Sequence, residues 1–353
     1  MKALFFIIYF ITLSFSTFYA QDGRELKREI DKALAYEVDI DTAKMTGWVI
    51  GCIDNDSTWI WGYGRLSKVN TAHPDNNTVF EIGGITKAFT ATIAQLMAEQ
   101  GLLNFDSTLN TYLKPEQQFL MGNRITLLQL VTHTSGLPKL PDGFGADEKD
   151  KDQPYLNYAE SYLFEYLKTI DSSDILIGKY TYSHLNHAIL EKIIENNGGK
   201  SALEQLDKPL KDTALTYIQG YNPAQFPVPN WLFDETFKYS LGMKAHMNMM
   251  VDFVKLNLGL KDTVHHHILR GVQEPIFKTN IDTRTSIGKA WHVYQYKKRP
   301  RICLQTGSTN GQSVLVAFVP ETKTGVIIMA NNRLVQAKLG MLILKMLNYN
   351  WRR

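Results

Sequence analysis

Strand-like runs stand at both ends of this 353-residue chain and helical periodicity fills the interval between them, an order that restricts the fold more than any other feature. Near the N-terminus, Gly47 to Ile53 and Thr58 to Gly64 are rich in β-branched and aromatic residues, and Asp54-Asn55-Asp56-Ser57 between them has the composition of a hairpin turn. Near the C-terminus, Ala290 to Tyr296, Ile302 to Gln305, Ser313 to Val319 and Gly325 to Met329 read as strands, and Val335 to Leu347 as a closing helix. An amphipathic helix is expected from Asp22 to about Val38, where Leu26, Ile30, Ala33 and Leu34 recur at helical spacing. A long buried helix is expected from Phe80 to Gln100, ending at Gly101.

Between Asn104 and about Gly288 the pattern is mostly helical, with helices expected at Ile125 to Thr132, Tyr158 to Ile170, Asn186 to Asn196, Lys200 to Leu206 and Met247 to Leu258. Leu137 to Pro154, punctuated by proline, glycine and charge, reads as a surface loop. Chain ends that both supply strands meet most simply in one sheet. The expected class is therefore α+β: an antiparallel sheet built from N- and C-terminal strands and flanked by helices, with a helical lobe inserted between them. One domain covers 21–353, its sheet lobe at about 21–80 and 288–353 and its helical lobe at about 81–287, and the cleft between the lobes is the natural ligand site.

Hydrophobic residues make up 44% of the chain, enough for a sizeable core, and 38 basic against 35 acidic residues leave a net charge of +3, which gives no ground for nucleic-acid binding. Lys2, the apolar run from Ala3 to Phe15 and the small-residue end at Ala20 form a secretory signal pattern over residues 1–20. The run falls short of the roughly 20 residues a membrane-spanning helix needs. The expectation is a periplasmic or secreted mature chain without a membrane span. Two cysteines, Cys52 and Cys303, are open to either a disulfide or two buried thiols in strands.

In Phe80-Glu81-Ile82-Gly83-Gly84-Ile85-Thr86-Lys87, Gly84 and Lys87 lie three apart and share one helix face. This is an S-x-x-K frame whose serine is glycine. Four further blocks follow in order: Leu130-Val131-Thr132-His133-Thr134-Ser135-Gly136-Leu137-Pro138, Tyr182-Ser183-His184, Lys208-Pro209-Leu210-Lys211-Asp212-Thr213, and Gln305-Thr306-Gly307-Ser308. Together they resemble the serine β-lactamase and penicillin-binding superfamily, in its class C branch with carboxypeptidase and esterase relatives. The resemblance covers about Gly47 to Leu347 and implies a β-lactamase/transpeptidase-like fold. It also implies that the N-terminal strand pairs with the C-terminal one, that the Gln305-Thr306-Gly307 strand lies at the far side of the sheet, and that Cys52 and Cys303 are too far apart to bridge.

By carry-over, Lys87 and Tyr182 are the groups that share the proton traffic, and the backbone amides of Gly84 and Ser308 form an oxyanion hole. Gln305, Thr306, Gly307 and Ser308 line the substrate side. Three positions depart together: Gly84 has no oxygen to acylate, His184 stands for an asparagine, and Gln305 for a cation. A degenerate protein that binds a peptidoglycan-type peptide or a small ester or amide follows most directly. An active hydrolase or acyltransferase in which His184, Tyr182 and Lys87 drive a water-based or displaced-nucleophile mechanism competes with it. A third reading is an interaction scaffold that displays Tyr155, Tyr158, Tyr162 and Tyr166, whose spacing equally fits a buried helix face.

Thr86, Thr90 and Ser183 are the hydroxyls nearest the frame and read as packing or capping residues, and Ser135 as a loop-shaping one. Neither metal nor cofactor is called for: His265-His266-His267 has no accompanying carboxylate pattern and reads as a solvated loop. Lys297-Lys298-Arg299 reads as a hairpin turn, with attraction of anionic wall polymers as the alternative.

Overall fold

The computed structural model describes residues 23–36, 47–145, 151–211, 214–261, 265–333 and 337–348. The expected signal segment, 1–20, lies outside the described residues, as do Asp212 and Thr213 of the fourth block. The strands are β1 (Trp48–Asp54), β2 (Ser57–Tyr63), β3 (Thr78–Glu81), β4 (Thr216–Tyr217), β5 (Gly220–Tyr221), β6 (Pro227–Val228), β7 (Lys244–His246), β8 (Phe277–Lys278), β9 (Thr285–Ile287), β10 (His292–Tyr294), β11 (Ile302–Ser308), β12 (Ser313–Val319) and β13 (Thr324–Ala330). The helices are α1 (Gly23–Tyr36), α2 (Thr86–Glu99), α3 (Leu127–Val131), α4 (Glu160–Thr169), α5 (His184–Ile194), α6 (Lys200–Gln205), α7 (Lys238–Leu241), α8 (Met247–Asn257), α9 (His266–Gln273) and α10 (Ala337–Leu347).

One eight-stranded sheet in the order β2-β1-β13-β12-β11-β10-β9-β8 organises the molecule. Its pairs are antiparallel, and β1 from the N-terminal region joins β13 from the C-terminal region from Trp48↔Ala330 to Asp54↔Thr324. Strand periodicity divides this sheet into two apolar faces. Ile50, Cys52, Leu315, Ala317, Val326 and Ile328 face α1 and α10, which supply Leu26, Ile30, Leu34, Leu339 and Ile343. Val49, Ile53, Val314, Val316, Ile327 and Met329 face the opposite way, against the helical residues between β3 and β8. With both faces covered, every residue of β12 and β13 is buried. Gly340 lets α10 approach closely, since a β-carbon there would overlap Leu315.

Several expectations need correction. Phe80 and Glu81 belong to β3, which pairs with β7 and leads through a 3₁₀ turn, Gly83–Ile85, into α2, so the helix starts six residues later than its apolar run suggests. The large sheet also takes in β8 and β9, residues that patterning places in the helical middle. β11 is the fifth of eight strands, three positions from β1, and is not at the far side. The histidine run opens α9 instead of lying in a loop. Tyr155 and Tyr158 precede α4, so the four tyrosines do not share one helix face: Tyr155 is buried and stacks on Phe233 at 5.0 Å, while Tyr162 is 55% exposed. Cys52 and Cys303 are free, buried thiols on opposite faces of the sheet.

Candidate active site

The 3₁₀ turn carrying Gly84 is pressed against β11. Gly83 has φ +50°, and a β-carbon on it would stand 2.8 Å from both the backbone nitrogen and oxygen of Ser308. A β-carbon on Gly307 would stand 2.9 Å from the nitrogen of Gly84 and would overlap the carbonyl of Ile82. Both expected oxyanion donors, the amides of Gly84 and Ser308, are thus at this one glycine-only contact. Distant residues hold the end of β11 in place. Glu81 is buried, accepts from the Thr309 hydroxyl at 2.7 Å and from the Trp231 amide at 2.6 Å, and donates its own amide to Gln312 at 2.8 Å. Burial pushes its carboxyl above the ordinary range against the pull of those hydrogen bonds.

At Gly84 itself a β-carbon would lie 2.9 Å from the Tyr182 hydroxyl and 2.9 Å from the Thr306 carbonyl, closer than real β-carbons approach their neighbours. A side chain at this position requires the Tyr182 hydroxyl and the Thr306 backbone to shift.

Lys87, one turn along, is 1% exposed. Its ammonium nitrogen donates to the Ser240 carbonyl at 2.9 Å and lies 5.4 Å from the centre of the Tyr182 ring. Burial, with the Lys139 charge second, holds this amine well below the usual lysine range. The same short helix, α7, is tied to both neighbours: Thr90 donates to the Tyr239 carbonyl, Ser240 donates its hydroxyl to the His184 carbonyl at 3.0 Å, and the Tyr239 amide donates to Glu191 at 3.0 Å. Thr86 accepts from the Met243 amide at 3.3 Å. Both threonines therefore serve the packing between α2 and α7.

Tyr182 and His184 flank Ser183, the N-cap of α5, whose hydroxyl accepts from the Asn186 amide at 3.1 Å and donates to the Pro138 carbonyl at 2.6 Å. Ser135 donates to Asn186 at 2.8 Å. Both serines are structural, and the loop they fix sends the Lys139 carbonyl to the His184 amide at 2.9 Å.

Sequence spacing does not foresee what surrounds Tyr182. The His133 ring lies 4.6 Å from it, His184 5.4 Å and His292 6.5 Å, while His187 lies 5.1 Å from His133. Nδ1 of His133 accepts the Ser183 amide at 3.2 Å, and Tyr180 hydrogen-bonds Nε2 of His292 at 2.7 Å. Burial lowers all four imidazoles, His292 to about 4, and keeps them neutral near pH 7. Burial likewise raises the Tyr182 hydroxyl well above its ordinary range. Nδ1 of His184 and of His187 are buried with no hydrogen-bond partner among the described residues. Gln305, expected on the substrate side, is 3% exposed: its side chain bonds His292 and accepts from the Thr306 amide at 3.2 Å.

The fold thus gathers Gly84, Lys87, Tyr182, His184, Thr306, Gly307 and Ser308 at one place, joins Gln305 to it through His292, and adds His133, His187 and His292. Of the added residues, His133 alone stands within one of the five sequence blocks. Among the described residues no group of three His, Cys, Asp or Glu side chains is arranged to hold a metal ion.

Known proteins carry the same framework. The chain is 24% identical to a beta-lactamase of Psychrobacter immobilis over 93% of its own length and 89% of that protein's. It is 28% identical to the D-alanyl-D-alanine-carboxypeptidase/endopeptidase AmpH of Escherichia coli K12 over 48% of this chain and 46% of that one. A class C beta-lactamase structure superposes with a TM-score of 0.77 at 22% identity, covering 94% of this chain and 98% of the other. The beta-lactamase/D-alanine carboxypeptidase of Pseudomonas syringae superposes at 0.75, also at 22% identity, over 91% and 98%. Residues 29–338 match the beta-lactamase family model, and on that match the chain belongs to the beta-lactamase family.

Proposed function

We propose that this chain is an exported, catalytically degenerate member of its family whose cleft binds a peptidoglycan-type peptide, or a small ester or amide, without forming an acyl-enzyme. The observation that carries the reading is Gly84 with its surroundings: no side-chain oxygen exists there, and the Tyr182 hydroxyl and Thr306 carbonyl stand 2.9 Å from the β-carbon position. An acyl-enzyme requires an ester bond to a nucleophile oxygen, and removing such a nucleophile costs on the order of 10⁶ in turnover in serine proteases. Binding needs less. The amides of Gly84 and Ser308 remain to donate to a carbonyl, and Thr306 and Ser308 of β11 are only half-buried. The names borne by relatives, beta-lactamase and D-alanyl-D-alanine carboxypeptidase, suggest the ligand class. The signal pattern over residues 1–20 suggests export to the periplasm or medium.

Chromogenic esters and β-lactams incubated with the native chain test the first half of this reading, and thermal shift with a D-alanyl-D-alanine peptide tests the second. Absence of turnover together with a ligand-dependent rise in melting temperature is expected. Turnover that vanishes in Lys87→Ala would overturn the reading.

A second reading has its own observation. His184 Nδ1 is unpartnered and its ring is held neutral, the state a general base needs to activate water. It requires measurable hydrolysis by the native chain that His184→Ala abolishes, with no covalent adduct visible by mass spectrometry.

A further inference from the structure

The end of the large sheet remote from Gly84 carries an unusual concentration of charge. Lys278↔Ser286, Thr285↔Tyr294 and Tyr294↔Ile302 are neighbouring pairs across β8, β9, β10 and β11. That register puts the loop 279–284 and the loop 295–301 side by side at one end of the sheet, and the Gln295 amide donates to the Arg284 carbonyl at 3.2 Å to join them.

Tyr296 is the centre of this end. The Arg284 guanidinium lies 4.4 Å from its ring centre, the Lys297 ammonium 5.2 Å and the Arg299 guanidinium 5.8 Å. With Lys278 and Lys298, both exposed, five cations meet one carboxylate, Asp282, in a chain whose whole net charge is only +3. Asp282 is turned into its own loop, accepting from the amides of Arg284 and Thr285 at 2.7 Å and from the Thr285 hydroxyl at 3.0 Å. Among the described residues no salt bridge joins any of the five cations to a carboxylate, whereas the neighbouring Arg301 is held by Glu274 at 3.0 Å and Glu321 at 3.1 Å. Like charges gathered on one ring repel one another, so the arrangement favours an external anion that spans them. In their midst Ile281 is 59% exposed.

We propose that these two hairpin tips are a docking surface for an anionic phospholipid bilayer. Cations alone would suit any polyanion. An exposed isoleucine and a half-buried tyrosine among them match the boundary between headgroups and acyl chains, where apolar and aromatic side chains gain by insertion while cations hold the surface. The site stays open when the tips are docked. β11 runs from this end at Ile302 to the oxyanion contact at Ser308, a span of about 20 Å at roughly 3.3 Å per residue. The inference is independent of whether the active site turns over.

Sedimentation of the exported chain with vesicles of phosphatidylglycerol in phosphatidylcholine, beside vesicles of phosphatidylcholine alone, tests it. Expected are binding to the anionic vesicles only, loss at high salt, a tenfold or greater loss in K297E/K298E/R299E, and a several-fold loss in Ile281→Ser. Both variants alter exposed side chains, and an unchanged melting temperature verifies their fold. Equal binding to both vesicle types, or triple-variant binding equal to the native chain's, overturns the proposal. Binding to a soluble polyanion such as a teichoic acid, with Ile281→Ser without effect on vesicle binding, overturns it in favour of a polymer.

Discussion

The Tyr182 hydroxyl lies 2.9 Å from the point that a β-carbon on Gly84 would take, so a side chain at residue 84 and the position of the tyrosine are coupled. Gly84→Ala isolates the steric part of this coupling. The residue has no positive φ to forbid a side chain, and the expected cost is the overpacking cost of about 1–3 kcal/mol. Combined with Tyr182→Phe, the alanine variant recovers part of that loss, because the Thr306 carbonyl stays 2.9 Å away. Urea denaturation of the single and double variants measures both values. Gly84→Ser meets the same obstruction, so little turnover is expected from it unless Tyr182 withdraws.

The histidine group is expected to make the fold acid-labile. An imidazole whose folded pKa lies below its unfolded value stabilises the fold fully above the unfolded pKa, and that stability is lost as pH falls toward the folded pKa. For His292 the window runs from about 6.5 down to about 4. Each pH unit of that window is equivalent to about 1.4 kcal/mol, so this one residue accounts for something on the order of 3 kcal/mol. His133, His184 and His187 act in the same direction. Denaturant midpoints measured from pH 8 to pH 4 fall steeply below about 6.5 in the native chain, and His292→Gln flattens the slope.

Glu191 works with the opposite sign. Burial raises its carboxyl to about 8, although its oxygens accept the Tyr239 amide at 3.0 Å and lie 3.9 Å from the Lys192 ammonium. The folded state holds this proton after the unfolded state has released it, so stability declines as pH rises from about 4.5 through about 8. Glu191→Gln keeps an acceptor for the Tyr239 amide and removes the buried charge. It is expected to be more stable than the native chain above pH 8, by an amount on the order of a few kcal/mol. Below pH 4.5 the difference shrinks to near zero, and melting temperatures at the two pH values decide the matter.

What the sequence discloses and what it withholds follow from the range of the interactions. β1, β12 and β13 are seven-residue runs whose alternation or continuous apolarity is visible locally, and the spacing of Gly84 and Lys87 is a local helical relation. β8 and β9 have two and three residues, too few for any period, and exist because β10 offers β9 an edge and β9 offers one to β8. Phe80 and Glu81 continue the apolar run of α2 yet form a strand, because β7 pairs with them and Glu81 binds Thr309 and Trp231, 228 and 150 residues away. The same holds for the site. His133 and His292 reach Tyr182 from the end of α3 and from β10, and His187 of α5 packs on His133, a convergence that no spacing encodes. Gln305 stands at its expected strand position, but its bond to His292, from the neighbouring strand, has no local signal.

Glu81 ties the start of the Gly83–Ile85 turn to the end of β11, and its removal tests whether that tie sets ligand affinity. Both carboxyl oxygens accept, one from the Trp231 amide and one from the Thr309 hydroxyl, so in Glu81→Gln the NH₂ faces the Thr309 hydroxyl, which can accept it only by turning its own proton away from its present partner. An unsatisfied buried donor costs about 1–3 kcal/mol, and the expected loss of stability is of that size. The site should suffer in a further way. Thr309 directly follows Ser308, whose amide is one of the two expected donors to a ligand carbonyl, and the Glu81 amide also binds Gln312 in the same turn. A peptide bound through those amides therefore loses affinity in Glu81→Gln beyond what global stability explains. Titration calorimetry far below the variant's melting temperature separates the two effects. Affinity equal to that of the native chain would leave Glu81 a role in stability alone.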